Sequence, residues 1–494
     1  MKNQVQLITY VDRLTDGGLV KLKQRIEQPL SGLFSGIHIL PFYYPIDGSD
    51  AGFDPIDHTR VDERLGDWGD LKALGDECEI MADLIVNHAS ADSPEFQDVL
   101  ENGENSRYWS MFLKEADLYP EGITEQQAKL IYRPRPGSCF SAKSLVSGKT
   151  VNFWTTFTDN QIDINVESPE GKQYLERVLQ LFADNGVKII RLDAAGYAIK
   201  RKNTSCFMID DTFKFISELS DSANRLGMET IAEIHSHYQT QIDVAKKVNK
   251  VYDFALPPLV LHSLFTNNVD ALIKWLRIAP RNCITVLDTH DGIGIIDAGP
   301  SGDLPGLLKD SEIDSLVETI HDNSSGESKK ATGAAANNLD LYQVNCTYYD
   351  ALGKNDFNYL VARAIQFFSP GAPQVYYGGL LAMQNDMHLL SETQVGRDIN
   401  RPYISDSVFE SQTKKPVVKG LFELIKIRNQ SHAFNGDFSV VGEATKLQMS
   451  WKKGEELAEL NVDLDTQEAT ISVHHGERHV QYSLLELSKG IVNQ

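Results

Sequence analysis

The stretch GKQYLERVLQLFADNGVKIIRLDA (residues 171–194) joins two periodicities in one unbroken run. In its first part Tyr174, Val178, Leu179, Leu181 and Phe182 keep near-helical spacing, which predicts an amphipathic helix with one buried face. Gly186 stands where a helix C-cap takes a left-handed residue. In its second part Val187, Ile189 and Ile190 are apolar and β-branched, which predicts a buried strand. A helix that runs straight into a buried strand is half of a βαβ unit, and a chain of such units builds a parallel sheet.

Working outward, apolar strand-like runs recur at residues 5–10, 36–42, 79–88, 187–194, 228–235, 250–256, 283–291 and 373–379. Eight strands alternating with helices predict an α/β chain closed into a (β/α)8 TIM barrel. Two long gaps interrupt the rhythm, and each follows the C-terminal end of a strand. Structureless loops of that length are rare in compact domains. The expected division is therefore barrel at 1–88, 168–291 and 356–434, an inserted domain B at 89–167, and an inserted lid subdomain at 292–355. The second gap contains the polar, small-residue segment DNSSGESKKATGAAANN (322–338). After residue 435 the pattern changes. KLQMSW, EATISVHH and RHVQYSLLEL read as short alternating strands, so 435–494 is expected to be a small antiparallel C-terminal domain.

Composition narrows the function classes. The chain has 494 residues, with 47 Lys and Arg against 69 Asp and Glu, a formal net charge of −22. That field repels nucleic acid and anionic membrane surfaces. No apolar run reaches the ~18 residues of a membrane span, and the start lacks the basic and apolar regions of a signal peptide. Cys78, Cys139, Cys206, Cys283 and Cys346 are scattered and odd in number, which argues for free thiols in a reducing compartment. The expectation is a cytoplasmic protein with no nucleic-acid or membrane partner. A homodimer is left open.

Several strands end in charge. The third ends in Asp83, Asn87 and His88, the fourth in Arg191 and Asp193, the fifth in Glu233 and His235, and the seventh in Asp288, His290 and Asp291. Taken alone, Arg191 and Asp193 read as a structural ion pair. Charges at the C-terminal ends of several barrel strands read instead as a catalytic face. Asp193, Glu233 and Asp291 would converge there. Three close carboxylates repel one another, but they suit a developing positive charge such as an oxocarbenium-like transition state. Arg191 would keep Asp193 ionised as a nucleophile. Glu233, after the apolar run TIA, would be partly desolvated and hold the proton of an acid.

At this point the chain resembles the α-amylase family of retaining glycosidases and transglycosidases, glycoside hydrolase family 13. The resemblance rests on DLIVNH (83–88), IRLDAAGY (190–197), AEIH (232–235), VLDTHD (286–291) and DPIDHTRVDERLGDW (54–68). It implies Asp193 as nucleophile, Glu233 as acid/base and Asp291 as transition-state stabiliser. It also implies His88, His290 and Arg191 in the first sugar subsite, Asp50 and Arg397 on the far hydroxyls of the glucosyl ring, and Phe53 and Tyr197 as aromatic faces. QLITYVDRL, GIHILPFYYPIDGSDAGFDPIDHT, YRPRPG, YDFALPPL, DTHDGIGIID, NLDLYQVN and GRDINR look like the branch that splits sucrose with inorganic phosphate. The products of that branch are α-glucose 1-phosphate and fructose, with transglucosylation as a side activity. By that likeness Arg135 and Tyr342 lie near phosphate, Asp340 and Gln343 near fructose, and Phe157 and Tyr132 form walls of the acceptor site.

A phosphorylase must hold a dianion beside three carboxylates. A guanidinium such as Arg135, stiffened by Pro134 and Pro136, suits that task. No cofactor and no metal are expected. Although Asn87 and His88 suggest the calcium corner of amylases, acidic partners for an ion are not evident. The alternatives within the enzyme class are a phosphorylase for sucrose 6'-phosphate or glucosylglycerol, and a sucrose hydrolase. Asp340 would repel a phosphorylated fructose. A non-catalytic barrel serving as a binding subunit would be expected to lack part of the carboxylate triad. His474 and His475 are expected at the surface, and Trp154 in packing.

Overall fold

Strand formation follows the apolar runs closely. A computed structural model describes residues 1–48, 50–134, 137–332, 343–476 and 478–491. Its central strands are β1 (Gln6–Thr9), β2 (Gly36–Ile39), β3 (Glu79–Ile85), β4 (Val187–Asp193), β5 (Glu229–Ala232), β6 (Lys250–Asp253), β7 (Cys283–Thr285) and β8 (Ala372–Tyr376). Each pairs in parallel with its neighbours in chain order, and β1 pairs with β8 to close the barrel. Side chains that alternate along these strands point inward or toward the surrounding helices. The interior is not wholly apolar. The amide of Gln374 donates to Gln6 Oε1 at 2.9 Å, and the Tyr252 hydroxyl donates to Gln374 Oε1 at 3.3 Å, so each of these acceptor oxygens has a buried donor.

The helix ahead of β4 spans Pro169–Asp184. Ser168 caps it by accepting from the Gly171 amide, and Pro169 occupies the first turn, where its missing N–H costs nothing. Its buried face is Tyr174, Leu175, Val178, Leu179 and Phe182. Leu181, expected on that face, is only half-buried, and Leu175 takes its place. Gly186 follows the helix at φ +82°, the left-handed conformation that glycine adopts without steric cost.

Between β3 and β4 lie the helix Pro94–Asn102, an antiparallel hairpin of Phe140–Ser144 with Thr150–Trp154, and the strand Gln161–Asp163, which pairs antiparallel with His88–Ser90. That last pairing ties the insertion to the mouth of the barrel. Trp154 is fully buried with Leu113, Tyr119, Cys139 and Cys206, a packing residue as expected. Between β7 and β8, Ile293–Gly294 pairs with Gln343–Val344, and helices span Asp310–Asn323 and Glu327–Lys330. The start of the polar 322–338 segment is thus helical.

A C-terminal antiparallel sheet comprises β9 (Asp437–Glu443), β10 (Lys446–Lys453), β11 (Glu456–Asp463), β12 (Glu468–His475) and β13 (Arg478–Ser483). The expected strand RHVQYSLLEL ends early. Ser483 caps a helix at Leu484–Ser488 by accepting from the Glu486 amide, and Leu484 and Leu487 are buried. The sheet is anchored to the barrel where Trp451 donates its indole N–H to the Phe368 carbonyl at 2.7 Å. His475 is exposed and His474 half-buried against His479. All five cysteines are buried and free. Among the described residues, no helix is long and apolar enough to cross a membrane.

Candidate active site

The C-terminal end of β4 carries Arg191 and Asp193 on the same side of the strand, two residues apart. Arg191 is buried and donates to three carboxylates from three strands. Nη1 reaches Asp83 Oδ1 at 2.5 Å and Asp193 Oδ1 at 2.9 Å, and Nη2 reaches Glu233 Oε1 at 2.7 Å. Asp83, at the end of β3, also bonds His38 Nε2 from β2 at 2.9 Å. Burial alone would raise the Asp83 carboxyl. The charges of His38 and Arg191 overcome that and hold it at about 2. Directly after Asp193 the chain turns through Ala194 at φ +53°. A residue with a Cβ in this region is strained by about 1–2 kcal/mol, a cost that recurs at functional sites.

Glu233 follows β5 and Asp291 lies in the segment after β7. Asp291 pairs with Arg397 Nη1 at 2.8 Å. Burial raises its carboxyl, but Arg397, His290, His235 and Arg191 outweigh that, so Asp291 is held far below the usual range. Asp193 moves the other way. Burial pushes it well above the usual range, Arg191 opposes, and the charges of Glu233 and Asp83 add to the rise. The sequence reading has Arg191 keep Asp193 ionised; in the folded chain Arg191 opposes the rise that burial and the neighbouring carboxylates cause. One guanidinium is spread over three carboxylates, so its hold on any one of them is diluted. Oxygens of Glu233 and Asp291 and a ring nitrogen of His235 lie within 4.8 Å of one another. Both of those carboxylates already face guanidinium groups, which supply the positive charge an ion would bring.

These groups line one cavity of about 760 Å³, mouth included. Phe53 stacks on His290 with ring centroids 5.0 Å apart and lies under Arg191 at 5.4 Å. Burial pushes His290 down to about 3 and lowers His88 as well. Both rings are therefore neutral near pH 7, each with one N–H and one acceptor nitrogen. His88 Nε2 lies 3.0 Å from the Phe53 carbonyl. Part of the lining is an aromatic cluster. Tyr132 and Tyr197 both pack on Phe207, at 4.6 and 4.7 Å, and Phe157 meets Tyr197 at 5.1 Å. A few fixed polar groups at one end and ring faces along the side suit a sugar, whose C–H faces stack and whose hydroxyls need directed partners.

Asp50, Phe53, His88, Tyr132, Phe157, Arg191, Asp193, Tyr197, Glu233, His290, Asp291 and Arg397 all line this cavity, as the sequence reading requires of a single site. Asp50 accepts from the Gln161 amide at 3.2 Å. Gln343 stands at its edge, accepting from the Gly292 amide at 3.1 Å and from Arg397 at 3.4 Å. Arg135, Asp340 and Tyr342 lie outside the described residues. The sequence reading missed Phe207 as a lining residue, and it placed His235 at the end of its strand without giving it a role. Phe207 arrives from a loop with no motif. His235 stands two residues after Glu233, the same spacing as Arg191 and Asp193, and that spacing was the available signal.

The corner next to Asn87 holds a buried ammonium. Lys200 Nζ bonds Asn87 Oδ1 at 3.0 Å and Asp163 Oδ2 at 2.7 Å, and also the Tyr197 carbonyl. The lysine thereby connects β3, the strand Gln161–Asp163 and the aromatic wall through one charge.

Comparison with known proteins agrees with this geometry. The profile of the α-amylase catalytic domain matches residues 30–255. A sucrose phosphorylase of Agrobacterium vitis is 56% identical, over 96% of this chain and 97% of that protein. A sucrose phosphorylase of Bifidobacterium adolescentis is 52% identical, over 92% of this chain and 90% of that one. The crystal structure of sucrose 6F-phosphate phosphorylase from Thermoanaerobacter thermosaccharolyticum superposes with a TM-score of 0.90 at 36% identity, covering 98% of both chains.

Proposed function

This chain belongs to the α-amylase family, among its sucrose phosphorylases, and from that premise we propose that it splits sucrose with inorganic phosphate into α-glucose 1-phosphate and fructose. The observation that carries the site assignment is the Arg191 guanidinium, bonded at once to Asp193 and Glu233 at the mouth of the barrel. It holds the two carboxyls close to one another, and a double displacement uses a close pair of carboxyls.

In this reading the Asp193 carboxylate attacks the anomeric carbon of the glucosyl unit. The bond from that carbon to the fructosyl oxygen breaks, and Glu233 gives its proton to the leaving oxygen. The product is a β-glucosyl ester on Asp193. Phosphate oxygen then attacks the same carbon, the ester bond breaks, and Glu233 takes up the phosphate proton. Two inversions give net retention. Positive charge developing at the anomeric carbon favours the Asp193 anion. Asp291, held ionised by Arg397, stabilises that charge. Asp50 and Arg397 hold the far hydroxyls, His88 and His290 the nearer ones, and Phe53 and Tyr197 the ring faces. Tyr132, Phe157 and Gln343 border the acceptor. Arg135 and Tyr342 bind phosphate and Asp340 fructose. The reading includes a reducing, cytoplasmic setting, which the five buried free thiols suit.

The test is to incubate the purified protein with sucrose, with and without phosphate, and to identify the sugars released. Glucose 1-phosphate and fructose in equal amounts are expected with phosphate present. Free glucose as the dominant product at saturating phosphate refutes the reading in favour of hydrolysis.

A further inference from the structure

The segment DGIGIID after β7 contributes a carboxylate that the mechanism above does not use. Asp297 is fully buried. Its Oδ1 accepts from the Ser236 amide at 3.1 Å and from Gln241 Nε2 at 3.0 Å, and its Oδ2 lies 3.5 Å from His235 Nδ1. The contact depends on a glycine. A Cβ at Gly294 would stand 2.8 Å from Asp297 Oδ2 and 3.5 Å from His235 Nδ1. The imidazole is stacked on Phe254, with centroids 3.8 Å apart and planes 17° from parallel, which fixes the plane of the ring. Its other nitrogen, Nε2, faces the cavity, 3.9 Å from Glu233 Oε1 and 3.5 Å from the Gln343 amide nitrogen.

We propose that Asp297 is a positioning residue for the acceptor half of the reaction: it bonds the Nδ1 proton of His235 and so presents His235 Nε2 to incoming phosphate as a charged donor. This rests on the phosphorolytic reading above. Among the described residues, the groups that face the ring are Asp297 and Asp291 from the post-β7 segment, Glu233 just after β5, and the neutral Phe254 and Gln343. The three charged ones are anions. Burial lowers the imidazole, but Asp297 chiefly, then Glu233 and Asp291, raise it overall. A carboxylate on Nδ1 fixes the tautomer, as in other carboxylate–histidine pairs. With Asn in its place the side-chain amide donates to Nδ1, the single proton moves to Nε2, and the ring meets phosphate uncharged. Charge-assisted bonds are about twice as strong as neutral ones, so phosphate capture weakens while sucrose cleavage is largely spared.

The experiment compares wild type, Asp297→Asn, His235→Gln and the double variant in the full-length enzyme. First-turnover fructose release without phosphate reports glucosyl-enzyme formation, and glucose 1-phosphate release against phosphate concentration reports capture. Asp297→Asn is expected to raise the KM for phosphate about tenfold, with fructose release changed less than about threefold. The double variant is expected to be no worse than His235→Gln, because one residue acts through the other. An unchanged phosphate KM in Asp297→Asn, equal losses in both assays, or losses that multiply in the double variant overturn the proposal and leave phosphorolysis standing. Wild type that makes no glucose 1-phosphate overturns both. Should Asp297→Asn fail to fold, Gly294→Ala alone and with His235→Gln decides the question by the same comparison.

Discussion

Glu233→Gln separates the chemistry of the site from its scaffolding. Glu233 Oε1 receives a charge-assisted bond from Arg191 at 2.7 Å. A glutamine carbonyl accepts from the same Nη2 without the charge. The difference between a charged and a neutral hydrogen bond is about 1–1.5 kcal/mol, or roughly tenfold in rate. Every substrate pays that tenfold, because every glucosyl unit uses the same anchored site. Loss of the proton donor adds a further 10²–10⁴-fold, but only where the leaving group needs a proton. Fructosyl oxygen needs one, and fluoride does not. The assay is the first-turnover rate with sucrose, read as fructose, against α-glucosyl fluoride, read as fluoride ion. Sucrose cleavage is expected to fall about 10³–10⁵-fold and fluoride release only about tenfold. Asp193→Asn, which removes the attacking oxygen, is expected to abolish both. Equal losses of the two substrates in Glu233→Gln would falsify the acid/base role and reduce Glu233 to a partner of Arg191.

Arg135→Ala is expected to lower the ratio of glucose 1-phosphate to free glucose about ten- to a hundredfold at equal phosphate, and an unchanged ratio reduces Arg135 to a loop charge. Lys200→Met leaves the Asp163 carboxylate buried beside Thr156 without its cation. Breaking such a pair from one side costs about 3–5 kcal/mol, read as a lower denaturant midpoint, and a loss below about 1 kcal/mol refutes the claim that this ammonium holds the corner. Asp83 sits at about 2 in the folded chain against an ordinary value of 3.8. Its contribution of about 2–3 kcal/mol is therefore fully present above pH ~4 and fades as pH falls toward 2. Asp83→Asn is expected to lower stability by that amount at pH 7 and to flatten the stability curve between pH ~4 and ~2. A variant curve parallel to wild type through that window contradicts it.

The barrel was legible because strand and helix periods repeat in chain order and each strand pairs with its sequence neighbours, so local pattern and global topology coincide. The same logic exposed Arg191, Asp193, Glu233 and Asp291, because charges at the ends of apolar strands are costly unless used. The C-terminal helix was misread, since LLEL carries no period of its own and its state is decided by the Ser483 cap and by burial of Leu484 and Leu487. Phe207, His235 with Asp297, and the Lys200 corner depend on loops from different strands meeting in space. Arg191 illustrates the limit most directly. The sequence by itself placed it on one side of a strand beside Asp193. Only the closed barrel brought Asp83 and Glu233 to the same guanidinium, because hydrogen-bonding partners 108 and 42 positions away along the chain become neighbours only when β3, β4 and β5 lie side by side. That sharing determines how the charge is divided among the carboxylates, and no local pattern encodes it.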